Sequence, residues 1–406
     1  MNVLITPAKL AGTVRVPASK SAAHRLLIAA ALADAPTAVR VSALNRDIEA
    51  TLNCLAALGA GIARDGDVIE VVPIPKKYEA NAELDCGESG STLRFLLPVA
   101  CALGDDTRVL GHGRLPLRPN APLTDALRAH GARIDNDLLP MRLRGPITGG
   151  RWTLPGDVSS QYVTGLLFAL PLLGEDSEIA LTTPLQSASY VAMTLEALRL
   201  FGIAAESTDS GWKIPGGQRY RSPETVEAEG DWSAAAFWHA ANALGADIRV
   251  EGLDPASAQG DRAVVQLLGQ SLIDAGNVPD LVPALAVAAA SLPQITEITG
   301  AARLRLKESD RLATTAAMLE ALGHRVKITG DGLVVEGGAP EPCADETRTV
   351  DGANDHRIVM AAAVAAATAD RPVRILGAEA VEKSYPDFFR DYANLGGRVH
   401  VEHTGQ

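Results

Sequence analysis

The residues best suited to chemistry in this chain sit where apolar helix patterns begin. The clearest case is the stretch Cys86-Gly87-Glu88-Ser89-Gly90-Ser91-Thr92-Leu93-Arg94. Gly87 and Gly90 allow a tight turn and a close approach to a ligand. Ser89 or Ser91 can cap the helix that follows. Free N–H groups and the positive end of such a helix favour an anion. Arg94, one turn in, can add a charge-assisted fork. An ordinary capped helix after a turn has the same local pattern, and only recurrence along the chain sets a ligand site apart from it.

The pattern recurs. One helix start carries Ser19-Lys20-Ser21 with His24-Arg25, and another carries Asp157 with Ser159-Ser160-Gln161-Tyr162. Others carry Glu229 with Asp231-Trp232-Ser233, Pro279-Asp280, and Asn354-Asp355-His356-Arg357. Two loops add cations. Leu115-Pro116-Leu117-Arg118-Pro119 holds an arginine between prolines, which stiffen the loop. Leu304-Arg305-Leu306-Lys307-Glu308-Ser309-Asp310-Arg311 alternates apolar and charged residues before a helix, and read alone it also fits a solvated edge strand with a cap. Lys383-Ser384-Tyr385-Pro386-Asp387 lies near the C-terminus, where a lone lysine reads as solvated.

Stepping from residues to elements, the helix starts near Ser21, Ser91, Ser160, Ser233, Leu281 and His356 recur at about 70 residues, with one shorter interval. A second series of helices ends at Gly59, Gly131, Gly202, Gly269, Gly323 and Gly396 with the same spacing and one short interval. Glycine just past a helix is the expected left-handed cap. The spacing predicts six copies of strand–buried helix–strand–amphipathic helix–strands, an α/β fold of two domains, each of three repeats around buried parallel helices. The short intervals overlap only between Gly269 and Leu281, so one repeat, the fourth, lacks about 20 residues near 269–281. The expected domains are 18–229, and 1–17 plus 230–406. Parallel helices in each triplet gather their positive ends on one face.

The chain has 406 residues, a net charge of −12 and 4% aromatics, which argues against a basic or base-stacking nucleic-acid surface. Basic residues gathered in one place still suit an anionic small molecule. Four cysteines, Cys54, Cys86, Cys101 and Cys343, are too scattered for zinc or a disulfide scaffold and read as reduced thiols of a cytoplasmic protein. No signal-peptide pattern opens the chain, and its apolar runs are too short to span a bilayer.

In these motifs the chain resembles the 5-enolpyruvylshikimate-3-phosphate synthase family (3-phosphoshikimate 1-carboxyvinyltransferases). The resemblance rests on Ser19-Lys20-Ser21 with Arg25, Gly90 with Arg94, Arg118-Pro119, Ser159-Ser160-Gln161, Lys307 to Arg311, Asn354 to Arg357, and Lys383 to Pro386, in order along nearly the whole chain. It implies an enolpyruvyl transferase-like inverse α/β barrel with βαβαββ repeats. It implies transfer of the enolpyruvyl group of phosphoenolpyruvate to the 5-hydroxyl of shikimate 3-phosphate with release of phosphate, in aromatic amino-acid biosynthesis. By the same resemblance, shikimate 3-phosphate meets Lys20, Ser21, Arg25, Ser159, Ser160, Gln161, Ser187, Tyr190, Asp280 and Lys307. Phosphoenolpyruvate meets Lys20, Gly90, Arg118, Gln161, Arg311, Arg357 and Lys383. Glyphosate occupies the phosphoenolpyruvate site in that family. Arginine forks suit a phosphate and a carboxylate, and Ser, Gln and Asp suit hydroxyls.

Catalysis is then expected of Glu308 as acid to the methylene carbon, Asp280 as base for the 5-hydroxyl, and Lys20 at the phosphate and bridging oxygen. Lys307 and Arg311 should lower the Glu308 pKa, while burial and bound anions should raise it. No metal, organic cofactor, nucleic acid or membrane partner is implied, and the protein is expected to be a monomer. Glu88 stands where the resembling family often has asparagine, and Arg303 where its bacterial prototype has asparagine, so no substrate role is carried over to Arg303. Two rivals remain. The sister enzyme acting on UDP-N-acetylglucosamine uses Lys-Asn and a loop cysteine, where this chain has Lys20-Ser21 and no cysteine in 114–122. A non-catalytic anion-binding protein would not need Glu308 and Asp280 among cations.

Overall fold

The computed structural model describes residues 1–75, 81–104 and 106–402. The chain divides into two compact units, an inserted unit, Lys20–Ala228, and a terminal unit, Met1–Ser19 with Glu229–Gln406.

Among its described residues the inserted unit has three four-stranded sheets. In the second copy, Ala82–Asp85 runs parallel to Asp106–Leu110, which pairs antiparallel with Met141–Arg144, itself antiparallel to Arg133–Ile134. The third copy repeats this with Gly150–Leu154, Ser177–Leu181, Gly211–Ile214 and Glu206–Thr208. The first copy uses Thr37–Arg40, Val68–Val72 and Gly61–Asp65, and its parallel neighbour is Thr225–Glu227, from the far end of the unit. Alternation of buried and exposed residues along Ala82–Asp85 and Met141–Arg144 turns one face of the sheet inward.

The terminal unit follows the same plan with two departures. Leu272–Asp274, Ile295–Thr299, Leu333–Glu336 and Arg325–Ile328 make one complete sheet. In the next, Asn2–Thr6 fills the third place, between Val373–Leu376 and Arg398–Glu402, with Arg348–Asp351 at the parallel edge. The remaining sheet has two strands, Ala11–Arg15 parallel to Asp247–Glu251. This is the shortened repeat. Its second helix is the four-residue Val264–Leu267, and Leu272–Asp274 of the next repeat follows where a hairpin stands in the first, second, third and fifth copies. The parallel pair closes this repeat without a hairpin.

One helix of each copy is buried around its circumference because beyond its first turns it is largely apolar. They are Lys20–Ala31, Gly90–Leu103, Ser160–Ala169, Trp232–Ala243, Val282–Ala290 and His356–Ala366. Every residue of Val282–Ala290 is buried, as expected of an internal helix. Val3, Ile5 and Val14 of the N-terminal strands pack in the same core as these helices of the terminal unit. The six glycines ending the second helix series all have positive φ, from 73° to 104°, the conformation that glycine adopts without steric cost. In the inserted unit, a Cβ on Gly165 would collide with the Arg94 carbonyl. Gly165 therefore allows the close approach of Ser160–Ala169 to Gly90–Leu103, which sets the first-turn residues of both helices side by side.

Candidate active site

The inserted unit gathers its chemical residues at the N-terminal turns of its buried helices. Lys20 opens one of them and donates through Nζ to Asp47 Oδ2 at 2.9 Å. Asp47 lies in the first turn of Arg46–Ala57, which is capped by Asn45. Both side chains are largely buried, so Lys20 is a paired, partly enclosed cation. His24, one turn on, is held neutral. Burial, then Lys20 and Arg25, push its pKa well below the ordinary value. Its Nδ1 meets Thr51 Oγ1 at 2.7 Å, and Thr51 meets Thr92 Oγ1 at 2.7 Å.

Arg25 is buried. It donates to Thr194 Oγ1 at 2.9 Å and to the carbonyls of Ser21 and Tyr190 at 2.7 and 2.8 Å. Its guanidinium lies 5.1 Å from the Phe95 ring centroid, and burial lowers its pKa to about 10. Ser187, at the start of Ala188–Leu200, has φ 56°, a conformation uncommon for a residue with a side chain. Tyr190 follows in the same helix, and its carbonyl is the Arg25 acceptor. Ser21 is half-buried in the first turn of its own helix.

Ser89 caps Gly90–Leu103 by accepting from Thr92 N at 3.2 Å. Arg118 follows the turn Leu115–Leu117 and is buried, with its guanidinium over Gly90. A Cβ at Gly90 would stand 2.6 Å from Arg118 Nη1, so the small residue and the arginine fit one another. Ser159 caps Ser160–Ala169 by accepting from Gln161 N at 3.3 Å. Ser160 is buried beside it, and the Gln161 amide donates to Ser91 Oγ at 3.0 Å. The Glu88 carboxylate lies over Gly113.

The terminal unit centres on Arg311, the first residue of Arg311–Ala321 and 1% exposed. Its Nη1 donates to Asp280 Oδ1 at 2.7 Å, its Nη2 to Glu308 Oε2 at 2.7 Å, and its Nε to Asp355 Oδ2 at 2.8 Å. Burial alone would lower the Arg311 pKa, but Asp355, Glu308 and Asp280 outweigh it and raise it. Asp280 sits on the turn Pro279–Leu281, with Lys307 Nζ 3.5 Å and Arg357 Nη2 3.3 Å from its carboxylate. Asp355 is fully buried. It also accepts from Ser309 Oγ at 2.9 Å and caps His356–Ala366 through Arg357 N at 3.0 Å. Lys383 ends the turn Ala378–Lys383, is 4% exposed, and donates to Asn354 O at 2.7 Å. Arg303 donates to Gly276 O at 2.7 Å.

Several sequence expectations change in detail. Residues 302–306 form a 3-10 turn, and not the edge strand that the alternation also allowed. The turn lets Lys307 and Glu308 face Asp280 and Arg311 respectively. Lys383, which taken alone read as a solvated loop lysine, is enclosed. Sequence reasoning overlooked Asp47 and gave no role to Asp355, although both stand at helix starts, where a carboxylate is a cap signal. It also missed Asp261. That carboxyl is buried against Ser233 Oγ, and burial, with Asp280 and Asp231, pushes its pKa up to about 6 against the pull of Arg357 and Ser233. Among the described residues, no group of three or more His, Cys, Asp or Glu side chains is arranged to hold a metal. None of their helices is long and apolar enough to cross a membrane.

Each unit thus brings cations, helix starts and hydroxyl or carboxylate groups together, a set suited to an anionic substrate and to proton transfer. The family model of EPSP synthase (3-phosphoshikimate 1-carboxyvinyltransferase) matches residues 4–274 and 271–392. A 3-phosphoshikimate 1-carboxyvinyltransferase of Clostridium kluyveri is 38% identical, over 98% of this chain and 98% of that protein. One of Halobacterium salinarum is 40% identical, over 98% of this chain and 99% of its own length. The solved structure of an EPSP synthase from Acinetobacter baumannii superposes with a TM-score of 0.81 at 25% identity, covering 98% of this chain and all of that one.

Proposed function

The chain belongs to the EPSP synthase family, and on that premise we propose how its own residues divide the work of the reaction. The enzyme transfers the enolpyruvyl group of phosphoenolpyruvate to shikimate 3-phosphate, a step of the shikimate pathway. Shikimate 3-phosphate is assigned to Lys20, Ser21, Arg25, Ser159, Ser160, Gln161, Ser187, Tyr190, Asp280 and Lys307. Phosphoenolpyruvate is assigned to Lys20, Gly90, Arg118, Gln161, Arg311, Arg357 and Lys383. Arg25 lies on protein acceptors, so its contribution to the sugar phosphate is mainly a fixed positive charge.

In the addition step Glu308 gives a proton to C3 of phosphoenolpyruvate. The 5-hydroxyl oxygen bonds to C2, and its proton passes to Asp280. In the elimination step Glu308, now a carboxylate, takes a proton back from C3, the C2–O bond to phosphate breaks, the double bond re-forms, and Asp280 gives up its proton as phosphate departs. Lys20 stabilises charge on the phosphate and its bridging oxygen, and the arginines stabilise the adduct. The observation that carries this reading is the Arg311 guanidinium, bonded at 2.7 Å to both Asp280 and Glu308. One fixed cation orients the proposed base and the proposed acid. A site built only to hold anions gains nothing from two carboxylates among its cations, since like charge repels the ligand. We infer a monomer in the cytoplasm, a setting with which four free cysteines agree.

The test is phosphate release. Shikimate 3-phosphate and phosphoenolpyruvate together should yield phosphate and the enolpyruvyl product, and neither should do so alone. Release with UDP-N-acetylglucosamine in place of shikimate 3-phosphate would favour the sister activity. Binding of both anions without phosphate release would favour the non-catalytic reading.

A further inference from the structure

Arg94 stands in the first turns of Gly90–Leu103 and is 4% exposed. It carries none of the ligand roles assigned above, yet its three nitrogens have three protein acceptors on two segments, the Pro119-Asn120 loop and the start of Ser160–Ala169. Nη1 donates to Gln161 Oε1 at 2.6 Å, Nε to Asn120 Oδ1 at 3.1 Å, and Nη2 to Pro119 O at 3.2 Å. The guanidinium carbon lies 5.6 Å from the Tyr162 ring centroid. We propose that Arg94 is a positioning residue for the transfer reaction, fixing the Gln161 amide and the Arg118 loop at once through its three-way fork. This rests on the assignment of Gln161 and Arg118 to substrate.

The geometry makes each arm specific. The Gln161 amide has an acceptor end and a donor end, and the wrong end toward a ligand reverses its hydrogen bonding. Arg94 takes the oxygen with a short charge-assisted bond, and Ser91 takes the nitrogen at 3.0 Å. The amide is therefore held at both ends by residues of the neighbouring helix. The second arm is the backbone after Arg118. Pro119 O accepts from Arg94 Nη2 and from Tyr162 OH at 2.7 Å, so both its lone pairs are used. Asn120, which accepts from Arg94 Nε, donates through Nδ2 to Arg118 O at 3.1 Å. Arg118 N donates to Leu115 O at 3.1 Å. The Arg118 backbone is thus anchored on both sides, and its side chain runs out over Gly90. Lysine in place of Arg94 keeps a charge but has no planar fork to serve three acceptors in fixed directions.

The experiment is a double-mutant cycle on purified full-length enzyme, with Arg94→Lys, Gln161→Ala and the double variant, and KM for each substrate and kcat as readouts. Arg94→Lys should raise KM for both substrates about tenfold, the loss of one charge-assisted bond, with a smaller fall in kcat. Because Arg94 acts on shikimate 3-phosphate only through Gln161, KM for that substrate in the double variant should match Gln161→Ala alone. Additive effects on that KM, or wild-type KM values in Arg94→Lys, would overturn the proposal. If Gln161→Ala itself leaves both KM values unchanged, it is the substrate assignment of Gln161 that fails, and the fork then has no ligand-binding amide to position. If Arg94→Lys does not fold, Asn120→Ala decides. It loosens the same fork at Nε and should raise KM for phosphoenolpyruvate severalfold, whereas a wild-type KM there would also overturn the proposal.

Discussion

Gly90→Ala is the smallest change that reaches the proposed phosphoenolpyruvate site, and its size can be worked from the structure. The new methyl carbon would stand 2.6 Å from Arg118 Nη1 and 2.9 Å from both Cζ and Nη2. Ordinary contact begins near 3.4 Å, so the guanidinium must withdraw by about 0.8 Å. Its backbone cannot follow, because Arg118 N and O are both bonded. The movement falls on the side chain that is assigned to an anion of phosphoenolpyruvate. A displacement of about 1 Å at a reacting or binding group can cost on the order of a hundredfold, and losing one charge-assisted bond about 1.5–3 kcal/mol. The variant should therefore raise KM for phosphoenolpyruvate, and the inhibition constant for glyphosate, by roughly ten- to a hundredfold. KM for shikimate 3-phosphate should change less than threefold by this argument, because the three atoms nearest the added methyl all belong to Arg118, which is assigned to phosphoenolpyruvate alone. Steady-state kinetics with each substrate varied, and inhibitor titration, read this directly. Equal phosphoenolpyruvate KM and equal glyphosate sensitivity in variant and wild type would refute the placement of Arg118 over Gly90 as a ligand-binding arrangement.

Two further outcomes follow from the same geometry. Lys20→Met should lower kcat/KM a thousandfold or more while the chain stays folded, at a stability loss of about 1–3 kcal/mol for leaving Asp47 without Lys20; near-normal turnover with an intact circular-dichroism melt would contradict the role given to Lys20. Asp261 has a folded pKa raised from 3.8 to about 6, so the fold binds a proton there that the unfolded chain releases. Its stabilising contribution is complete below about pH 4 and is lost as pH rises through about 6. Asp261→Asn, which cannot ionise, should gain roughly 3 kcal/mol over wild type by pH 8 and little at pH 4. Denaturant unfolding at both values checks this, and a pH-independent difference would exclude the buried carboxyl as its source.

The repeat was legible because glycine caps and apolar helices obey local rules. Gly59, Gly131, Gly202, Gly269, Gly323 and Gly396 all take the left-handed conformation that their position after a helix demands. The short fourth copy was legible as a gap in spacing, but the two-stranded sheet that results was not, since its partner strand, Ala11–Arg15, lies more than 200 residues away in sequence. The individual cations were legible, and their partners were not. Nothing local says that Asp47 meets Lys20, or that Asp280 and Asp355 share Arg311, whereas Glu308, three residues before Arg311, was within reach of a local reading. Such pairs arise where the starts of two helices meet, within one repeat for Lys20 with Asp47 and between repeats for Arg311 with Asp355. Alternation misled at residues 304–306, because a 3-10 turn repeats every three residues: Ala301 and Leu304 are buried, while Leu306 is exposed.

The central claim is that Glu308 supplies the proton to the methylene carbon while Arg311 holds it beside Asp280. Glu308→Gln keeps the size of the side chain and an oxygen for the Arg311 bond, but it cannot deliver a proton. The direct measurement is incorporation of solvent deuterium into the methylene of phosphoenolpyruvate during turnover with shikimate 3-phosphate. In Glu308→Gln both exchange and turnover should fall by roughly a hundred- to ten-thousandfold, the usual range for a lost general acid, with shikimate 3-phosphate affinity almost unchanged. Exchange and turnover at wild-type rates in that variant would contradict the account and turn attention to Lys20 or Lys383 as the donor.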